Sequence, residues 1–233
     1  MKLGIMQPYF FPYIGYWQLV NLVDQFVIYD DVNYIKRGWI NRNRILVEGK
    51  TLYFHVPVKK ASQNKRIDQI ELLLDEDTKR KKIKTIELAY KKAPYFNSVY
   101  PLVKDILGNQ QENLSKYLAD SLRMIADYLK IETKFIISSE IEKDNTLKAQ
   151  DKIINICKVL GADEYYNAIG GLELYSSRIF AENKIQLFFI KTNDIRYQQF
   201  GDKFIANLSI LDVMMFNSIE QIGRMLKEYT LIR

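Results

Sequence analysis

Cysteine and histidine, the side chains that most often build metal and nucleophile centres, are almost absent: the chain has one of each, Cys157 and His55. A single cysteine cannot form a disulfide within the chain, and one cysteine with one histidine cannot complete the usual zinc ligand sets. Cys157 lies in an apolar helical pattern, which favours a buried, inert thiol. His55 lies in a predicted strand, where a structural role is favoured over that of a general base. The sequence therefore predicts no metal site.

Long apolar runs and several well-known catalytic motifs are missing as well. No run approaches the roughly 20 apolar residues that cross a bilayer. The start of the chain lacks the apolar stretch and small-residue cleavage site of a signal peptide. The Walker A, GxGxxG, GxSxG and CxxC patterns are also absent. We therefore expect a cytoplasmic protein without a transmembrane segment, whose chemistry uses none of these motifs.

Acidic residues are outnumbered by basic ones, 28 against 34, which gives a net charge of +6. Much of the excess lies in one predicted helix, at 79–84 and 91–92, and a charge run on a helix usually faces solvent. Such a surface could attract an anionic substrate, a lipid headgroup or RNA. Charge alone does not favour a nucleic-acid partner over a solvated helix face.

Strand and helix patterns alternate at both ends of the chain. Near the N-terminus, strands at 3–6 and 25–29 flank a short helix that begins after Gly15, which is the order of a βαβ unit. Gly161 fits the C-cap of a later helix. Alternation of this kind favours a parallel sheet with helices on both faces. In the last third we predict strands at 134–138, 164–167 and 185–190 and helices at 146–160, near 172–183 and at 218–229.

The middle of the chain has a different pattern. A glycine turn at 48–50 between two strand-like runs predicts a β-hairpin, and a further strand is predicted at 67–74. Asn113 fits the N-cap of an amphipathic helix. The helices of this part are predicted at 78–92, 95–107 and 113–130. We therefore predict one α/β domain over 1–233, with a Rossmann-like sheet, parallel or mixed, a hairpin and a mainly helical subdomain at about 78–130.

The loop after the first strand is rich in aromatic side chains. Ligands of an open parallel sheet bind beyond the carboxyl ends of its strands, and five aromatic residues fall between positions 9 and 16. Rigid rings can stack a base or a sugar at low entropic cost. The alternative is a hydrophobic plug, but the polar ends of the tyrosines need partners. The candidate binding residues of this loop are Gln7, Tyr9, Pro12, Tyr13 and Tyr16.

Two later loops supply further candidates. Arginine binds phosphate through paired hydrogen bonds. Arg42 and Arg44 are two residues apart in a predicted strand, so their side chains point to the same face. Solvated edge-strand charge is the alternative. A turn at 170–171 could expose backbone N–H groups to an anion. The candidates are Asp30 and Asp31 as catalytic carboxylates, and Lys36, Arg37, Trp39, Asn41, Arg42, Asn167, Gly170 and Gly171 as binding residues.

At these residues the chain resembles the WbqC-like family, and the resemblance runs nearly end to end. It is carried by GIMQPYFFPYIGY at 4–16, DDV at 30–32, IKRGWINRNRI at 35–45, KKASQN at 59–64, NAIGGLELY at 167–175 and NLSILDV at 207–213.

The resemblance implies a bacterial protein of O-antigen (lipopolysaccharide) or other surface-polysaccharide biosynthesis. The implied reaction transfers an acyl or aminoacyl group, such as glycyl, to a nucleotide-activated amino sugar. The partners would be a sugar nucleotide and an acyl or aminoacyl donor, with nucleic acid involved if the donor is an aminoacyl-tRNA. Direct attack by an amine needs no cofactor, but it needs positioning, a base and a polarised carbonyl. In this scheme Lys36, Arg37 and Arg42 hold phosphate, Tyr9, Tyr13, Tyr16 and Trp39 frame the ring, and Asp30 or Asp31 is the base.

Two alternatives remain open at this stage. The order of strand, Pro-aromatic loop and helix is similar to the start of HxGH-type nucleotidylyl transferases, which implies ATP and magnesium. Tyr16 stands where that motif has a histidine, so the fold analogy could hold without the activity. The other alternative is a non-catalytic adaptor in a polysaccharide assembly complex.

Overall fold

The computed structural model describes residues 1–201 and 203–233. Short 3₁₀ helices at Ile67–Gln69, Ser138–Glu140 and Ile169–Leu174 accompany the main elements. In chain order these are β1 (Lys2–Met6), α1 (Ile14–Leu22), β2 (Gln25–Ile28), β3 (Arg42–Val47), β4 (Lys50–His55), β5 (Val58–Lys59), β6 (Glu71–Leu72), α2 (Glu76–Tyr90), α3 (Phe96–Gly108), α4 (Leu114–Tyr128), β7 (Lys134–Ile137), α5 (Ala149–Leu160), β8 (Glu164–Ala168), α6 (Ser177–Glu182), β9 (Gln186–Thr192), α7 (Ile210–Phe216), α8 (Ile219–Met225) and β10 (Tyr229–Ile232).

The main sheet is mixed and mostly parallel, which confirms the predicted α/β fold. Its strand order is β10-β9-β8-β1-β2-β7, and β10 is the antiparallel member, paired with β9. β1 lies at the centre, with Gly4 opposite Phe26 of β2 on one side and Tyr166 of β8 on the other. Because helices cover both faces of this strand, its middle residues are all buried, and it reads as a continuous apolar run.

Alternate residues of the strands pack on opposite layers of helices. Ile5 and the neighbouring strand residues on the same face of the sheet pack against α5 and α6. Cys157 of α5 is fully buried in this layer. Phe26 and the neighbouring strand residues on the other face of the sheet pack with Trp17 of α1. Burial raises the pKa of the Cys157 thiol to about 12, as expected of an inert core residue. No helix within the described residues has the length and apolar character of a membrane span.

The structure corrects the sequence prediction in three places. The predicted strand at 67–74 is a 3₁₀ turn followed by the two-residue β6. The predicted helix near 172–183 is split into a 3₁₀ helix and the shorter α6. The predicted last helix ends at Met225 and is followed by β10, and α7 lies between β9 and this helix, where no helix is predicted. Every residue of α7 is buried, so its sequence has no polar face to reveal a helical period.

Buried hydrogen bonds connect α2 to α7 and to strand β3. The Tyr90 hydroxyl donates to Asp212 Oδ1 of α7 at 2.8 Å and accepts from the backbone N–H of Leu46 at 3.2 Å. Asp212 also accepts from Tyr197 at 2.8 Å and Gln199 at 3.0 Å. Burial raises the pKa of this carboxyl group, and the three donors oppose that shift.

The N-cap of α4 provides a test of this packing. Asn113 Oδ1 accepts from the backbone N–H of Lys116 at 3.2 Å, and its amide donates to the Asp68 carbonyl at 2.7 Å. We expect Asn113→Ala to lower the free energy of unfolding by about 1–2 kcal/mol, because both bonds are lost. Asn113→Asp keeps the capping oxygen and should lose less. Urea unfolding of the three proteins measures this, and equal stability of all three would contradict the capping role.

Candidate functional site

A cleft of about 550 Å³ opens at the carboxyl ends of β1, β8 and β9. From β1 the chain proceeds to β2 and β7 on one side of the sheet, and to β8 and β9 on the other. The strand order therefore reverses between β1 and β8, and this is where open α/β sheets bind ligands. The cleft is lined by Tyr9, Tyr13, Trp39, Asn43, Arg44, Ile169, Ile190, Lys191, Thr192 and Asn207.

Asn43 holds the aromatic loop that forms one wall of the cleft. Its side-chain amide donates to the carbonyls of Phe10 at 3.1 Å and Phe11 at 2.8 Å. The Ser209 hydroxyl donates to the same Phe11 carbonyl at 3.0 Å. Phe11 has a φ of +44°, a backbone conformation that costs a non-glycine residue about 1–3 kcal/mol and persists where its surroundings fix it. These three bonds supply that restraint, and the loop presents Tyr9 and Tyr13 to the cleft.

Gly15 is required because Tyr13 and Thr192 approach each other across it. A β-carbon at this position would lie 2.4 Å from Thr192 Oγ1 and 2.5 Å from the Tyr13 ring. Any larger residue would therefore displace one of these two cleft-lining side chains.

The phenol groups of Tyr9 and Tyr13 remain protonated donors. Burial raises the pKa of both hydroxyls, and the neighbouring Tyr13 raises that of Tyr9 further. Tyr16 lies behind Tyr9, with ring centroids 5.5 Å apart, and is fully buried. Its hydroxyl donates to the Gln7 carbonyl at 3.2 Å, so Tyr16 supports the wall from inside.

Two cations, Arg44 and Lys191, line the cleft. Arg44 of β3 donates to the Asn207 carbonyl at 3.2 Å, and its guanidinium carbon lies 5.6 Å from the centre of the Trp39 ring. Lys191 is exposed near the carboxyl end of β9. None of the lining residues that the structure describes carries a carboxylate, so the electrostatic environment favours an anionic ligand.

The predicted site residues separate into two groups. Tyr9, Tyr13 and Trp39 line the cleft. The predicted phosphate-binding cations do not: Lys36 and Arg37 are exposed on the preceding loop. Arg42 donates to the carbonyls of Gly38 at 3.1 Å and of Arg37. The others outside the lining are Gln7, Pro12, Tyr16, Asn41, Asn167, Gly170 and Gly171.

Several of these other residues hold the framework of the site. Asn41 accepts from the Tyr34 hydroxyl at 2.8 Å and donates to the Val56 carbonyl at 2.9 Å. Asn167 Oδ1 accepts from the backbone N–H of Ala168 at 2.7 Å. Gly171 packs so closely on Asn167 that a β-carbon there would lie 2.6 Å from its amide nitrogen. The backbone of this turn therefore shapes the cleft rim, where Ile169 is the lining residue.

Asp30 and Asp31 lie outside the cleft, each enclosed by partners. Asp30 accepts from the Ser115 hydroxyl at 2.7 Å and from the hydroxyl and backbone N–H of Ser139 at 2.8 and 2.9 Å. Asp31 is paired with Lys152 at 2.8 Å and with Lys143 at 3.0 Å, and both lysine side chains are buried. This geometry favours a structural role for both carboxylates over the predicted role as general base.

Sequence reasoning missed several of the lining residues. Arg44 was recognised among the cations, and Asn207 lies in a stretch that carries the family resemblance. The sequence around Lys191 and Thr192 does not indicate a binding site, because β9 has the apolar pattern of a core strand. Only the tertiary structure brings the end of this strand to the cleft. Asn43 was missed because an asparagine that alternates with arginines in a strand does not reveal which carbonyls it reaches.

The buried charge cluster makes a stability prediction. Asp31→Asn leaves two buried lysines without their counter-ion and should lower the free energy of unfolding by about 3–5 kcal/mol. Burial by itself raises the pKa of Asp31, but the hydrogen bonds from Lys152 and Lys143 bring it below the ordinary value. The ionised carboxylate therefore stabilises the wild type at a pH above the ordinary aspartate pKa. This contribution is lost as the pH falls through the lowered pKa of Asp31.

Urea unfolding at pH 7 and at about pH 3, below the ordinary aspartate value of 3.8, tests this. The control is Asp77→Asn, because Asp77 forms an exposed ion pair with Arg80. If Asp31→Asn were as stable as the control variant, the cluster would have no structural role.

The comparisons with known proteins agree on one family. The model of the WbqC-like protein family matches residues 7–224. The chain is also 30% identical over 218 residues to "Uncharacterized protein Rv1507c" of Mycobacterium tuberculosis (strain ATCC 25618 / H37Rv), a match that covers 93% of each protein. No solved structure matches the chain. The chain belongs to the WbqC-like protein family.

Proposed function

We propose that this protein transfers an acyl or aminoacyl group to the amino group of a nucleotide-activated sugar, in the synthesis of a bacterial surface polysaccharide. The observation that carries the proposal is the cleft at the strand-order reversal, with aromatic walls, two cations and no lining carboxylate among the described residues. This composition fits a ligand that has flat or ring-shaped parts and a negative charge. A sugar nucleotide has both.

Each part of the cleft has a role in this proposal. The rings of Tyr9, Tyr13 and Trp39 contact the sugar or base, since rigid aromatic side chains bind rings at low entropic cost. Arg44 and Lys191 bind the pyrophosphate. Arg44 is suited to this role because it is already fixed by Trp39 and by the Asn207 carbonyl, so little conformational entropy is lost on binding.

The same groups support direct attack by the sugar amine. The acceptor amine attacks as the free base, because a protonated amine has no lone pair to form the new bond. The amine nitrogen forms a bond to the acyl carbonyl carbon, and the bond from that carbon to the donor oxygen breaks. The proton lost by the amine passes to the departing oxygen. A phenol of Tyr9 or Tyr13, protonated because its pKa is raised, donates a hydrogen bond to the carbonyl oxygen and polarises it.

Thermal shift with a panel of sugar nucleotides, with and without magnesium, tests the proposal. We expect stabilisation by at least one sugar nucleotide and none by ATP with magnesium, because a ligand that binds only the folded state raises the melting temperature. Stabilisation by ATP with magnesium alone would instead support nucleotidylyl transfer.

Two variants locate the ligand. Arg44→Gln should weaken sugar-nucleotide binding by about 1.5–3 kcal/mol, because a charge-assisted hydrogen bond to phosphate is lost. Trp39→Leu should weaken it by about 1 kcal/mol through lost ring contact. Titration calorimetry measures both, with Arg178→Gln as the control because Arg178 is exposed and paired with Glu182. Unchanged affinity in both cleft variants would place the ligand elsewhere.

A further inference from the structure

Four neighbouring side chains at the hairpin form one stack, and we call them the cation–aromatic ladder: Arg42, Tyr53, Trp39 and Arg44. The guanidinium carbon of Arg42 lies 4.4 Å from the Tyr53 ring centre. Tyr53 and Trp39 stack with centroids 6.4 Å apart and 28° between the ring planes. The guanidinium carbon of Arg44 lies 5.6 Å from the Trp39 ring centre. The order is therefore cation, ring, ring, cation.

The ladder is accessible and its charge is uncompensated. Trp39 is 38% exposed and Tyr53 is 53% exposed. Among the described residues, neither arginine of the ladder forms an ion pair, since both donate to backbone carbonyls. The stretch 32–47, which contains three of the four ladder residues, has four cationic and no acidic side chains. The exposed rings and the arginines without ion pairs can therefore contact an anionic ligand that carries rings.

The ladder is continuous with the cleft. Trp39 and Arg44 belong to both, while Tyr53, which pairs with Arg44 across the hairpin, and Arg42, two residues before Arg44, lie outside the cleft lining. A molecule bound along the ladder would therefore have one end at the cleft. The positive charge favours an anionic molecule, and two adjacent rings between two guanidinium groups fit a chain of bases joined by phosphates.

We propose that the cation–aromatic ladder binds the unpaired nucleotides of a single-stranded RNA end, and that this end is the aminoacylated 3′ terminus of a tRNA. Unpaired bases stack on aromatic rings and on arginine guanidinium planes, and a positively charged surface follows the backbone. This inference rests on the proposed function, for which it names the donor. The ester carbon of the 3′ ribose would reach the cleft, and the ribose oxygen would be the leaving group that takes the amine proton.

Fluorescence anisotropy with a labelled single-stranded RNA of about ten nucleotides ending in CCA tests the ladder. We expect Tyr53→Leu and Arg42→Gln each to raise the Kd by about fivefold or more, because stacking or a phosphate contact is lost. Tyr53→Phe keeps the ring and should bind like the wild type. The affinity should also fall with added salt.

The matched controls are Tyr100→Leu and Lys104→Gln on α3, where the same kind of contact, a lysine over a ring at 5.2 Å, occurs on a separate helix. Both should leave the Kd unchanged. The melting temperature of each variant shows whether it is folded. A Kd that is insensitive to both Tyr53→Leu and Arg42→Gln, or equal binding of a blunt RNA duplex of the same length, would overturn the inference.

The sugar-nucleotide titration separates this inference from the proposed function. Tyr53→Leu should bind the sugar nucleotide as the wild type does, since Tyr53 lies outside the cleft lining. If the wild type binds sugar nucleotides but the ladder variants bind RNA normally, the ladder inference fails and the proposed function stands. If RNA binding depends on the ladder but no sugar nucleotide binds, the proposed function fails and the ladder remains an RNA site.

Discussion

The buried amide of Asn43 is the contact on which the site depends. It joins the hairpin to the loop after β1 by donating to two successive carbonyls, those of Phe10 and Phe11. An unsatisfied buried carbonyl costs about 1–3 kcal/mol, so these bonds keep the strained loop in one conformation. The same strand carries Arg44, so one element fixes the aromatic loop and also supplies a cation to the cleft lining. The ladder extends from this arrangement along the hairpin.

The distribution of carboxylates explains why the cleft is cationic. The buried acidic groups next to the sheet each have an internal partner: lysines for Asp31, hydroxyl and backbone donors for Asp30, and phenols with an amide for Asp212. No acidic residue is left to neutralise Arg44 at the cleft lining within the described residues. The charges that stabilise the core and the charges that line the cleft are thus separate sets, so the cations of the cleft are not needed to balance the buried carboxylates.

The fold and part of the site could be predicted because their signals are local. The apolar run of β1, the stripe of α4 and the aromatic loop at a strand end are all visible in short windows of sequence. Other features depend on distant partners: Lys152, which neutralises Asp31, lies 121 residues further along the chain. The positions of Tyr13 and Tyr16 also depend on tertiary structure. Tyr13 immediately precedes α1 and lines the cleft, whereas Tyr16 lies in the first turn of α1 and points into the core.

The most direct measurement uses the two tryptophans of the chain as probe and control. Trp39 lies at the junction of the cleft and the ladder, whereas Trp17 is fully buried and donates its indole N–H to the Pro12 carbonyl at 3.1 Å. A ¹H–¹⁵N spectrum recorded during titration with sugar nucleotides follows both indole resonances. We expect a saturable shift of the Trp39 resonance with little change at Trp17. Saturable binding that leaves Trp39 unmoved would contradict this expectation.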